Sequence, residues 1–219
     1  NINYSTNENL VTKLSGVEFV QLEGGFTGAV NIGVEGKPLG AMRATAWLRD
    51  INGNRVYSGD IYTDKNGQLD TAEDFFGNPY KGAPMIDPEL QIVGYTDPDF
   101  QVSWSSDFTL FKNLSFGFLF DASFGQDVWN GTRGALYNFG THGDTKDRDE
   151  LWVNDRGDKV MDITRSDSTF QITRKAYYRQ YANSFLEGAD EAHMEDGSYI
   201  KLREIHAEYT FDGLPDWGI

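Results

Sequence analysis

The 219 residues contain no cysteine, so the chain has no disulfide frame, no thiol nucleophile and no thiolate metal ligand. Basic charge is scarce. Nineteen Lys and Arg stand against 34 Asp and Glu, a formal charge of −15. That balance excludes nucleic acid as a partner, because neutralising phosphates needs clustered cations, and it disfavours attraction to anionic lipid headgroups. No run of eighteen apolar residues occurs, which excludes a membrane-spanning helix. Histidine is limited to His142, His193 and His206, none spaced to pair with a serine or carboxylate as a catalytic couple, so no enzyme is expected. Of the six prolines, Pro79, Pro84, Pro88 and Pro98 mark residues 75–98 as an irregular connector.

What the chain does have is two long runs of period two over residues 101–125. Val102, Trp104, Ser106, Phe108 and Leu110 alternate with Ser103, Ser105, Asp107 and Thr109. After Lys112 and Asn113, Leu114, Phe116, Phe118, Phe120, Ala122 and Phe124 alternate with Ser115, Gly117, Asp121 and Ser123. This spacing predicts two strands of about eleven residues joined by a two-residue Lys112-Asn113 turn. Ordinary strands stop at about five or six residues, whereas a tilted strand crossing a bilayer needs about nine to eleven. One face is aromatic; the other is Ser, Gly, Asp and Thr. The pattern fits a membrane β-hairpin with a lipid face and a wet lumen face, or a hairpin of a large soluble sandwich with one solvated face.

Around this hairpin the chain reads as mostly β. The opening NINYSTNENL is read as strand and not as a signal peptide. Residues 15–37, with Gly24, Gly25 and Gly28, read as short strands and turns, and residues 39–61 as a hairpin about Asn52-Gly53-Asn54. Asp64, Asn66, Gln68 and Asp70 resemble a calcium loop, but the glycine required at its sixth position is Leu69, so a plain turn is expected and metal binding is left open. Residues 126–167 form a long hydrophilic loop carrying Trp129, Tyr137, Phe139 and Trp152. Such aromatics either stack on sugars or pack the loop on itself. Residues 168–188 read as a short helix sharing Ala176, Arg179, Gln180 and Asn183 on one face, or as a strand. In the strand at 198–211, Ile205, Ala207, Tyr209 and Phe211 share a face while Ile200 and Leu202 fall on the other, which points to a bulge between them. Glu204 and Glu208 flank His206 on one face.

Three stretches, residues 59–70, 92–133 and 196–211, carry a resemblance in order. Gly94, Pro98, Asp99 and Phe100 enter a strand; Phe124, Gly125, Trp129, Asn130, Gly131, Thr132 and Arg133 end the next; Asp196, Gly197, Ser198, Tyr199, Lys201, Leu202 and Arg203 open a third. Together, within residues 60–211, they resemble the C-terminal barrel region of SusC/RagA-like TonB-linked outer-membrane receptors. The resemblance implies an all-β fold: a segment, residues 1–219, of a large plugged antiparallel membrane-spanning β-barrel with long extracellular loops. It implies that the TonB box, plug and carboxypeptidase-like extension lie upstream and the closing strands downstream. It implies residence in the outer membrane and TonB-driven import of oligosaccharides, or sometimes peptides, with a SusD-like surface lipoprotein as lid and no cofactor. Within it, Trp129, Tyr137 and Trp152 are the residues expected to touch substrate or lid. The rival expectations are a secreted β-sandwich that binds carbohydrate and an adhesin fragment.

Overall fold

The computed structural model describes residues 1–24, 28–72, 80–165, 170–183, 188–211 and 213. Gly25, Pro79 and most of the closing GLPDWGI segment lie outside them. The described residues are mostly β. In chain order the strands are β1 (Ile2–Ser5), β2 (Phe19–Gly24), β3 (Val30–Val34), β4 (Ala41–Ala44), β5 (Ile61–Thr63), β6 (Leu69–Thr71), β7 (Tyr80–Lys81), β8 (Gln91–Tyr95), β9 (Phe100–Leu110), β10 (Leu114–Phe124), β11 (Asp127–Trp129), β12 (Met161–Asp162), β13 (Met194–Asp196) and β14 (Tyr199–Tyr209). Among the described residues helix is limited to α1 (Gly131–Phe139), α2 (Arg174–Ala176), a π turn (Tyr177–Tyr181) and two 3₁₀ turns (Gly143–Asp147 and Asp190–His193). No helix among the described residues is long and apolar enough to cross a membrane.

The chain divides into two compact units. Unit 1 comprises residues 1–9, 95–127 and 196–219. Its sheet runs β1-β9-β10-β14, with antiparallel neighbours. The β9–β10 ladder joins Leu110 to Leu114 and Phe100 to Phe124 without a break, so the two alternating runs place their apolar residues on one face. The connection has three residues, 111–113, one more than the expected turn. Phe111 and Lys112 both hold positive φ, 53° and 64°, as a primed hairpin turn requires. Neither is a glycine or asparagine, so the usual signal for such a turn is missing there.

The ladder between β10 and β14 carries the expected bulge. Glu204 pairs with Leu119 and Leu202 with Phe120, leaving Arg203 as the extra residue. The shift brings Ile200 and Leu202, opposite Ala122 and Phe120, onto the face of Ile205 and Ala207, opposite Phe118 and Phe116. One apolar face therefore runs across all four strands, from Ile2 and Tyr4 through Trp104 and Phe118 to Ile205. Phe118 sits at its centre, 5.0 Å from Trp104 and 5.4 Å from Phe120 between ring centroids. The face is open: Ile2 is 73% exposed and Ile205 63%. On the other face Asp121 accepts from Arg203 Nη2 at 2.8 Å, and His206 lies between Glu204 and Asp107.

Unit 2 comprises residues 10–94 and 128–195. Its largest sheet runs β2-β3-β4-β8. Its core gathers Trp47, Ala83, Trp152, Val160, Ile172, Tyr181 and Ala189. The stretches expected to be loops thus build a compact body of their own. Three of its turns share one device. Asp50, Asp64 and Asn154 each head a five-residue turn, their side-chain oxygen accepting from the backbone N–H two and four residues on. The fourth residue of each, Gly53, Gly67 and Gly157, holds φ of 82–87°.

Candidate functional site

Of the three loop aromatics singled out above, Trp152 is 4% exposed and packs against Tyr177 and Tyr181, centroids 5.3 and 5.5 Å away. Tyr137 is also buried, on the inner side of α1. Asn130 caps that helix by accepting from the Arg133 N–H, and Gly140 ends it in the left-handed region. The Tyr137 ring lies 5.5 Å from Tyr178 and its hydroxyl donates to Asp144. Trp129 is half-buried and lies so close over Gly28 and Gly131 that a Cβ on either would fall 1.9 Å and 2.4 Å from its ring. The three do not converge on one site.

Burial raises Asp190 to about 6, and the hydrogen bond from the Thr45 hydroxyl at 2.9 Å offsets part of that rise. His193, almost fully buried beside it in the chain, is held below its usual value by burial. Its Nε2 meets Ala182 O at 2.9 Å. These groups tie turn 190–193 to Thr45 at the end of β4. Glu191 adds a fork to Arg49 and accepts from Trp47 N at 3.0 Å.

The open concave surface lies elsewhere in unit 2, about α2 and the π turn. A pocket of about 230 Å³ is lined by Asn138, Phe139, Arg148, Lys175, Tyr178 and Arg179. A groove of about 750 Å³ shares Asn138, Lys175 and Arg179 with it. Ala176, Arg179, Gln180 and Asn183, expected to share a helix face, all line this groove. The helix itself is short: after Ala176 the chain widens, and Ala182 N–H donates to Tyr177 O at 3.0 Å, the i→i+5 bond of a π turn. Backbone bonds fix its cations: Lys175 N–H donates to Arg148 O at 2.9 Å, and Asn183 Nδ2 donates to Arg179 O.

Two carboxylates of the 3₁₀ turn whose Thr145 lines the pocket are already used. Asp147 takes Arg174 Nε at 3.0 Å and the Tyr178 hydroxyl. Asp144 takes the Tyr137 hydroxyl, which holds its carboxyl below the usual range. Burial, followed by the bond to Asp147, pushes the Tyr178 hydroxyl up. Arg148, Lys175 and Arg179 are left without a carboxylate within ion-pair distance among the described residues. The groove combines these cations with the amides of Asn138, Gln171, Gln180 and Asn183, the carboxylate of Asp162 and the half-exposed ring of Phe170. That is a surface for binding a polar, ring-shaped or anionic ligand, without a nucleophile–base couple.

A second surface of about 680 Å³ is lined by Arg55, Tyr57, Asp60, Tyr62 and Arg156, among others. Its charges satisfy one another: Arg156 pairs with Asp60 and Arg55 with Asp155. Among the described residues no group of three His, Asp or Glu is placed to hold a metal ion. Asp64 of the calcium-like stretch spends one carboxylate oxygen on the N–H groups of Asn66 and Gln68. The sequence marks Arg179 only as part of a helix face and does not mark Arg148 or Lys175, because Arg148 lies far from the other two in the chain and only folding brings the three together. No family model matches the chain, and no curated protein matches it.

Proposed function

We propose that the chain forms part of the wall and outer loops of a TonB-driven outer-membrane importer of glycan fragments or other bulky nutrients, working with a SusD-like surface lipoprotein. One observation carries the reading: the apolar face of unit 1 is continuous over four strands, is open, and is kept in phase by a bulge at Arg203. A strand of eleven residues is about 36 Å long at ~3.3 Å per residue. Tilted by about 45°, it spans roughly 25 Å, the height of the lipid-facing band of such barrels. Tyr4 and Tyr209 stand towards opposite ends of the face, opposite Val102 and Leu114, where an interface favours amphipathic rings. The opposite face, with Ser103, Ser105, Asp107, Asp121 and His206, suits a wet lumen.

β14 and the half of β9 beyond β1 pair with no further strand among the described residues. A bilayer does not tolerate such edges, so in this reading further strands of the same barrel cover them. In a secreted sandwich the apolar face instead meets a second apolar sheet. Unit 1 has one sheet among its described residues, which favours the importer. Fractionation of the native host tests it. The polypeptide carrying these residues is expected in the outer-membrane fraction, retained through alkaline carbonate washing and released only by detergent. Recovery in the aqueous fraction contradicts the reading.

A further inference from the structure

We infer that the groove about α2 and the π turn is a binding site for acidic oligosaccharides, with Arg148, Lys175 and Arg179 as the carboxylate-binding cations. Charge is the first argument. In a chain of formal charge −15, three cations converge on one pocket and share it with no carboxylate. Six other arginines, Arg49, Arg55, Arg133, Arg156, Arg174 and Arg203, each hold an Asp or Glu. Asp144 and Asp147, in the turn before Arg148, are committed to Tyr137, Tyr178 and Arg174, and Asp149 and Glu150, which follow it, do not line the pocket. A positive pocket in a negative surround focuses anions onto itself.

Shape is the second argument. The pocket adjoins the 750 Å³ groove at the shared residues Asn138, Lys175 and Arg179, and so provides a narrow cationic end and a longer polar arm that also carries Asp162. Gln180 offers a donor and an acceptor to hydroxyls, Gln171 an acceptor beside the amide it gives to Trp152 O, and Phe170 a half-exposed ring beside the Arg165 guanidinium. Asp162 lines the arm but not the smaller pocket, and one of its oxygens accepts both Thr164 bonds. A π turn carries Arg179 and Gln180 at the junction, and such turns recur at functional sites. A bidentate guanidinium suits a sugar carboxylate better than a point charge does.

The inference rests on the importer reading for the ligand being a saccharide; the cation cluster stands apart from the membrane. The test is calorimetric binding of trigalacturonic acid and of its neutral galactose counterpart to the full-length protein, in detergent or, if it is soluble, in buffer. Wild type is expected to prefer the acidic trimer by at least tenfold. Arg179→Gln and Lys175→Gln each lose about tenfold for the acidic trimer and leave the neutral one unchanged, while Arg179→Lys recovers part of the loss. Equal affinity for the two trimers, or equal loss for both in the variants, overturns the inference. Displacement by low-millimolar sodium sulfate reduces the site to one for inorganic anions and overturns it too. Selective binding by a protein found in the aqueous fraction sinks the importer and leaves this site standing.

Discussion

His206 on β14 reaches Asp107 on β9 across the intervening strand, Nε2 to Oδ1 3.3 Å, and the residue beneath the bridge is Gly117. A Cβ built on Gly117 falls 2.3 Å from His206 Cε1 and 2.5 Å from Asp107 Oδ1. The glycine is therefore what lets two non-adjacent strands meet on the polar face. Gly117→Val is expected to part the pair and cost about 1–3 kcal/mol, as overpacking does. In a His206→Ala background the cost of Gly117→Val shrinks, because one of the clashing side chains is gone. Denaturant unfolding of the four members of this cycle measures the coupling; additive costs contradict it.

Arg203 is the extra residue of the bulge. Its pair with Asp121 lies on an exposed face, so Arg203→Ala is expected to leave stability nearly unchanged. Deleting Arg203 removes the bulge yet leaves Glu204 opposite Leu119 and Leu202 opposite Phe120, so Ile200 and Leu202 stay on the apolar face by plain alternation. Both Arg203→Ala and the deletion are therefore expected to leave a protease-resistant unit 1. Loss of the resistant unit on deletion contradicts the register.

Asp190 titrates near 6 in the folded chain because burial disfavours its charge. Its folded value is raised, so its contribution to stability is present below the unfolded value of about 3.9 and is lost as pH climbs through 6. Carboxylates such as Glu191, held below their ordinary value, act in the opposite direction as pH falls. The difference between wild type and Asp190→Asn isolates the one group. Relative to the variant, wild type is expected to lose stability between pH 4 and 6 and to stay level above 7. A flat difference contradicts the burial of this carboxylate.

The long strands were legible because period two survives over eleven residues, and even the phase slip at Arg203 could be read from Ile200 and Leu202. The turn at 111–113 was not, since Phe111 and Lys112 hold positive φ without the Gly or Asn that advertises it. Asn52-Gly53 advertised its turn, and Asn154 with Gly157 repeats the same plan less visibly. The body of unit 2 was hidden for a different reason. Trp47, Trp152, Val160 and Ile172 meet through isolated one-residue bridges, such as Trp47 to Ile86 and Leu151 to Thr173, which leave no periodicity to detect. Trp129, Tyr137 and Trp152 stood out as large aromatics on polar stretches, and the structure places Tyr137 and Trp152 inside unit 2. The cationic groove left only the face of Ala176, Arg179, Gln180 and Asn183 as its trace.

The absence of cysteine makes the central claim directly testable with single cysteines placed at each of residues 114–124 and spin-labelled in the native protein reconstituted in bilayers. The account predicts a period of two: labels at positions 114, 116, 118, 120, 122 and 124 relax with oxygen dissolved in lipid, and labels at 115, 117, 119, 121 and 123 relax with an aqueous nickel chelate. If the even positions are shielded from both reagents, the phenylalanine face is packed against protein and the lipid-facing wall is contradicted.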